Sequence, residues 1–136
     1  MSVYIKRLVL LVAITFIAVG VRLYDNGLCS FIREGEYSVY SATDEVTEFS
    51  EVPMLNKRGA YERIDLKGGE RDIKALLERM NATIIKEERF EDITVVYAFC
   101  PRISNFVEVE GAKVNIMIAL SNGKMTVGSP LIKGSY

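Results

Sequence analysis

Residues Leu8 to Val21 read LVLLVAITFIAVGV, an uncharged apolar run of 14 residues with Lys6 and Arg7 before it and Arg22 after it. A helix built from this run has no polar face, so it cannot lie half in water as an amphipathic helix does and has to be covered on every side. A bilayer provides that cover. A span usually takes about 20 apolar residues, and Val3, Tyr4 and Ile5 on one side and Leu23 and Tyr24 on the other can lengthen the run while the cations snorkel. The positive-inside rule places residues 1–7 in the cytoplasm and everything after the run outside. Ala18-Val19-Gly20 supplies small residues where a signal peptidase reads. Residues 1–24 are therefore either a retained signal anchor or a cleaved signal peptide. The protein is accordingly single-pass in the cytoplasmic membrane through residues 8–21 with its C-terminal domain outside, or secreted. Cys29 is no lipid-attachment cysteine, because Asn26-Gly27-Leu28 lies beyond the run and forms no lipobox.

Setting aside Lys6, Arg7 and Arg22 leaves 14 Lys and Arg against 18 Asp and Glu in the remainder, a formal charge near −4. Nucleic-acid binders present a basic stripe to phosphate, and neither this balance nor any Lys/Arg cluster offers one, so no nucleic-acid partner is expected. The chain contains no His, which removes the commonest general base, the Ser/His and Cys/His dyads and most zinc sites. Cys29 and Cys100 are the only thiols, too far apart for a Cys-x-x-Cys site; in an oxidising compartment they can form one bridge.

Beyond the leader, residues 25–35 read as a short stalk and residues 36–136 as one extracytoplasmic domain. Glu36–Ser41 and Ala60–Leu66 have strand character, with Ile64 and Leu66 on one side and Arg63 and Asp65 on the other. The polar stretch Thr43–Arg58 between them, which contains Pro53, reads mostly as loop. After Gly68-Gly69, the residues Ile73, Leu76, Leu77 and Met80 recur at helical spacing behind Glu70 and Asp72, which suit a helix start, and Asn81 stops the helix. Strands follow at Thr83–Arg89 and Ile93–Cys100 around Phe90-Glu91-Asp92, with a short strand or edge at Phe106–Glu110. Lys113–Leu120 alternates as a central strand, turns at Ser121-Asn122-Gly123 and returns through Lys124 to Gly128, and Asn-Gly is the turn that tight hairpins favour. Pro130 then breaks the ladder. The fold class is α+β: an antiparallel sheet of five to six strands with one helix on one face, preceded by the N-terminal hydrophobic helix. Leu77 and Ile116 are expected in the core.

Candidate chemistry is sparse. Ser121 and Lys124 match a Ser-x-x-Lys spacing, but their Asn-Gly centre makes a turn where that chemistry needs a helix. The amides at Gly68-Gly69 could meet an anion, were it not for Glu70 and Asp72 beside them. Glu108 with Glu110, and Glu87, Glu88, Glu91 and Asp92 around a turn, read as solvated surface without a calcium-loop pattern. Asn81-Ala82-Thr83 is a glycosylation sequon by pattern alone. No catalytic, cofactor-binding or metal-ligating set emerges, and no cofactor is expected.

Tyr97-Ala98-Phe99-Cys100-Pro101, Lys113–Leu120 and Gly128-Ser129-Pro130-Leu131-Ile132 resemble, in that order, the C-terminal part of the YwmB-like proteins, which are exported by spore-forming Gram-positive bacteria. The resemblance implies an α+β domain likened to the TATA-box-binding protein in shape, and a cell-envelope or sporulation setting. A likeness of fold confers no DNA binding. The expected function is a non-catalytic interaction module that binds an envelope protein or its own copy, with Tyr37, Tyr40 and Tyr61 as aromatic contact surface. The alternative is an enzyme without His that works through carboxylates or Cys100.

Overall fold

A computed structural model describes residues 2–23, 27–40, 46–49 and 60–136, with the side chains of residues 18–23 and 46–49 outside that description. Helix α1 covers Val3–Leu23. Strands β1 (Glu36–Tyr40), β2 (Val46–Phe49) and β3 (Tyr61–Lys67) precede helix α2 (Glu70–Arg79). After it come β4 (Thr83–Phe90), β5 (Ile93–Phe99), β6 (Val107–Val109), β7 (Ala112–Val114), β8 (Ile116–Ser121) and β9 (Lys124–Ser129). The chain is thus α+β, with an antiparallel sheet.

Seven strands join in the order β2-β1-β3-β9-β8-β5-β4, and β6 and β7 form a separate two-stranded hairpin. Glu62 of β3 lies opposite Ser129 at one end of the sheet, and Lys67 lies opposite Lys124 at the other. The first is the near end, reached by the chain from α1, and the second the far end. Because β3 and β4 are not neighbours, α2 carries the chain from the far end of β3 to the near end of the outermost strand, across β9, β8 and β5.

That crossing explains the core. Ile73, Leu76, Leu77 and Met80 form one buried cluster with Ile64, Val96, Ile116, Ile118, Met125 and Val127, residues that alternate along their strands and so share one side of the sheet, here the core face. Leu77 is 5% exposed and Ile116 fully buried. Helix α2 does not cover this side alone. A 3₁₀ turn at Leu28–Ser30, expected to be part of a stalk, inserts Leu28 and Ile32 into the same cluster. The pair stands at i, i+4, so one turn of helix brings both side chains to one side.

Of the stretch Thr43–Arg58, read mostly as loop, only Val46–Phe49 lies within the described residues, and it pairs with β1 as an outer strand; outer strands are recruited by backbone pairing, which needs little apolar alternation. One further expectation needs correction. Lys113–Leu120 is not one strand, because Asn115 interrupts it. The Asn115 side chain accepts from the N–H of Cys100 at 2.6 Å and donates to the carbonyls of Cys100 at 2.7 Å and Ile103 at 2.9 Å. Its amide satisfies the turn after β5, and β7 bends away toward β6. Asn122 and Gly123, with φ of 50° and 74°, make the β8–β9 turn as the residue types require.

The outer strand β4 is blunted. Its register slips between Ile84 and Lys86. Lys86 bridges Glu88 and Glu110, and Arg89 bridges Glu87 and Glu70.

Candidate functional site

On the side of the sheet away from α2, here the tail face, Arg63 is 6% exposed. Its Nε donates to Asp65 Oδ2 at 2.9 Å and its Nη2 to Asp65 Oδ1 at 3.0 Å, a forked pair that fixes both side chains. Nη1 donates to the carbonyl of Lys133 at 2.9 Å, which ties the C-terminal segment down over the sheet. Asp65 also accepts from Thr126 Oγ1 at 2.9 Å. Burial alone would raise the Asp65 pKa, but hydrogen bonds from Arg63 and Thr126 and the charges of Arg63 and Lys124 outweigh it, so its carboxyl lies below the ordinary value. Gly128 lets the segment approach: a Cβ there would stand 2.6 Å from the backbone of Leu131 and Ile132. Beside Arg63 a cavity of about 270 Å³ opens between Tyr37, Ser38, Tyr40 and Ser135.

On the core face Glu62, although 6% exposed, accepts from the N–H of Leu28 at 3.2 Å and from the Tyr37 hydroxyl at 2.8 Å. It anchors the 3₁₀ turn to β3. Tyr37, Tyr40 and Tyr61 therefore form no open aromatic patch: all three are half-buried, Tyr37 on Glu62, Tyr40 beside Gly134 and Tyr61 beneath Lys133.

Cys29 and Cys100 are both free thiols. Burial, reinforced by the charge of Glu62, pushes the Cys29 pKa up to about 11. Burial also raises Cys100, whose Sγ donates to the carbonyl of Met80 at 3.2 Å. A thiol held protonated is a poor nucleophile. Ser121 and Lys124 face each other across the β8–β9 turn. Lys124 lies 3.6 Å from Asp65 Oδ1. At the start of α2 the Asp72 carboxylate accepts from the N–H of Gly69 at 2.7 Å, so it occupies the position an anion would take. Of the acidic groups, Glu110 reaches Lys86, and Glu87 reaches Arg89. No group of three or more acids and cysteines is placed to hold a metal ion among the described residues.

A groove of about 610 Å³ runs between α2 and residues 31–34. Leu66 and Met125 form its floor, and Arg33, Lys67 and Arg79 are among its walls. The buried Glu62 and Arg63 escape sequence reasoning, since adjacent strand residues on opposite sides are ordinarily one buried and one solvated. Here both sides are covered.

No family model, curated protein or solved structure matches this chain.

Proposed function

We propose that the protein is a non-catalytic interaction module tethered by α1 to the cytoplasmic membrane, with the sheet domain outside and an envelope protein or a second copy as its partner. The observation that supports this is the surface of α1. Val3, Tyr4, Ile5, Leu8, Val9, Leu10, Leu11, Val12, Ile14, Phe16 and Ile17 are all exposed, which leaves apolar side chains on every side of the helix without cover from the domain. Exposed apolar surface of that extent marks a membrane or partner contact. Among the described residues no helix is long and apolar enough to cross a membrane; residues 18–23, whose side chains are not described, complete α1. The resemblance to the exported YwmB-like proteins points the same way, and α2 is read as the one full helix on the core face of the sheet. The alternative is a His-free enzyme using carboxylates or Cys100, and the burial of Cys100 speaks against its thiol as the nucleophile.

The test is in two parts. A reporter active only outside the membrane, fused after Tyr136, is expected to be active, and a silent fusion overturns the topology. Cross-linking in native cells is expected to capture one stoichiometric partner or the chain's own dimer. Turnover of an envelope substrate that is lost in Cys100→Ser would favour the enzyme.

A further inference from the structure

Cations and aromatic rings are paired at the near end of the sheet. The Arg102 guanidinium lies 5.7 Å from the centre of the Phe31 ring, Lys113 Nζ lies 4.7 Å from that of Phe106, and Lys133 Nζ lies 4.7 Å from that of Tyr61. Two of these pairs join segments about seventy residues apart and the third lies within one hairpin, and the register gathers them. Tyr61 opens β3 next to the Glu62–Ser129 rung, Arg102 follows the end of β5, and Phe106 and Lys113 belong to the hairpin that leads into β8 at Ile116. Ile84 and Ile85, at the start of β4, are exposed at the same end, as is Phe106 at 41%. The far end also exposes a ring, Phe90, and has Lys67 opposite Lys124, but its turn between β4 and β5 is the acidic pair Glu91-Asp92.

A cation over a ring keeps its charge while shedding part of its water. Rings and cations together are also the composition that settles where headgroups meet acyl chains. The tether fixes which end of the domain meets that layer. Three residues separate Leu23, the end of α1, from Gly27, so their Cα atoms stand no more than about 14 Å apart. Gly27 adjoins Glu62 at the near end. With α1 in the bilayer, the near end cannot move far from the headgroups, whereas the far end stands a strand's length further out.

We infer that the near end is a docking surface for an anionic phospholipid bilayer. Arg102 and Lys113 meet headgroup phosphates, and Phe106, Ile84 and Ile85 reach the acyl boundary. This rests on the membrane reading of α1 and adds to it the orientation of the domain and the charge of the surface it lies on. Glu78 and Glu108 are also exposed near this end; Glu108 sits opposite Lys113 in the hairpin.

The sequence contains no Trp, so Phe106→Trp and Phe90→Trp each install a single fluorescent reporter, one at either end. The full chain is reconstituted into vesicles of phosphatidylglycerol and phosphatidylcholine with brominated acyl chains, which quench only what touches them. Trp emission from Phe106→Trp is expected to be quenched and that from Phe90→Trp spared. The quenching should fall severalfold in vesicles of phosphatidylcholine alone, and equally on adding Arg102→Glu and Lys113→Glu, with the chain still resisting an alkaline wash. Equal quenching of the two reporters, or none in a chain that resists the wash, overturns the docking surface and leaves the membrane reading standing. Quenching that ignores lipid charge overturns recognition of anionic headgroups. A chain washed off the vesicles overturns both readings.

Discussion

The core face of the sheet buries Ile64, Val96, Ile116, Ile118 and Val127 beneath α2 and the 3₁₀ turn, while the tail face buries a forked Arg63–Asp65 pair beneath the C-terminal segment. On β3 the two sets meet, with Ile64 between Arg63 and Asp65, yet what holds them differs in kind. On the core face stability comes from removing apolar area from water, which is indifferent to exact geometry and roughly additive. On the tail face it depends on keeping every polar atom of a mostly buried pair partnered, which fails sharply when one member goes. A small apolar group also lies on the tail side, Val95, Met117 and Ala119 with Leu131 and Ile132 over them, so the segment is held by contact as well as by the Arg63 hydrogen bond.

Leu77→Ala, in the centre of the α2 stripe, is expected to cost about 2–5 kcal/mol, read as a lower thermal midpoint of the full chain in detergent micelles. An unchanged midpoint would mean that the helix does not contribute to the core. Asp65→Ala should cost less, about 1–3 kcal/mol, because it strands the guanidinium of Arg63 with only the Lys133 carbonyl. It should also loosen the tail, so hydrogen exchange at residues 131–136 is expected to rise in Asp65→Ala and not in Leu77→Ala. Equal exchange in the two variants would show that the faces are not independently held.

A smaller effect concerns acid. The Asp65 carboxyl lies below its ordinary value in the folded chain, and an unfolded Asp titrates near about 3.9. The stability it contributes is thus complete above about pH 4 and is lost as pH falls through the depressed folded value. Asp65→Asn should flatten that part of the stability profile, and an unaltered acid limb in denaturant titrations would remove Asp65 from the account. Smallest of all, Lys86→Ala, an exposed ion-pair partner on an outer strand, should leave the thermal midpoint of the full chain in detergent micelles unchanged.

What the sequence discloses follows the same division. The stripe Ile73, Leu76, Leu77, Met80 and the Asn122-Gly123 turn are legible because periodicity and a φ requirement are local properties. The covering of Arg63 and Asp65 is not. On β3 they read as the solvated alternates of Ile64 and Leu66, and only the return of residues 130–134 over Gly128 closes the face, a contact made across more than sixty positions of chain. Leu28 and Ile32 were hidden for another reason, since two apolar residues among turn formers give too short a pattern to mark as core. Asn115 looks like a surface residue in a mixed strand, and its buried role is visible only once Cys100 and Ile103 stand beside it. Sequence reasoning found no site because the candidate groups, Glu62, Arg63 and the near-end cations, are assembled by topology and not by spacing.

The blunted outer strand β4 has a consequence for crowding. A seven-stranded sheet with a bare flank is a template: a second chain can add its own strand, a third can add to that, and the assembly propagates as a ribbon. The slip at Ile84–Lys86 breaks the regular row of amides and carbonyls that such growth copies, and Lys86 and Arg89, already engaged with Glu88, Glu110, Glu87 and Glu70, confront an incoming strand with charge that would have to be stripped of water. The β4 flank of one copy is therefore a poor place for the sheet of another to fuse.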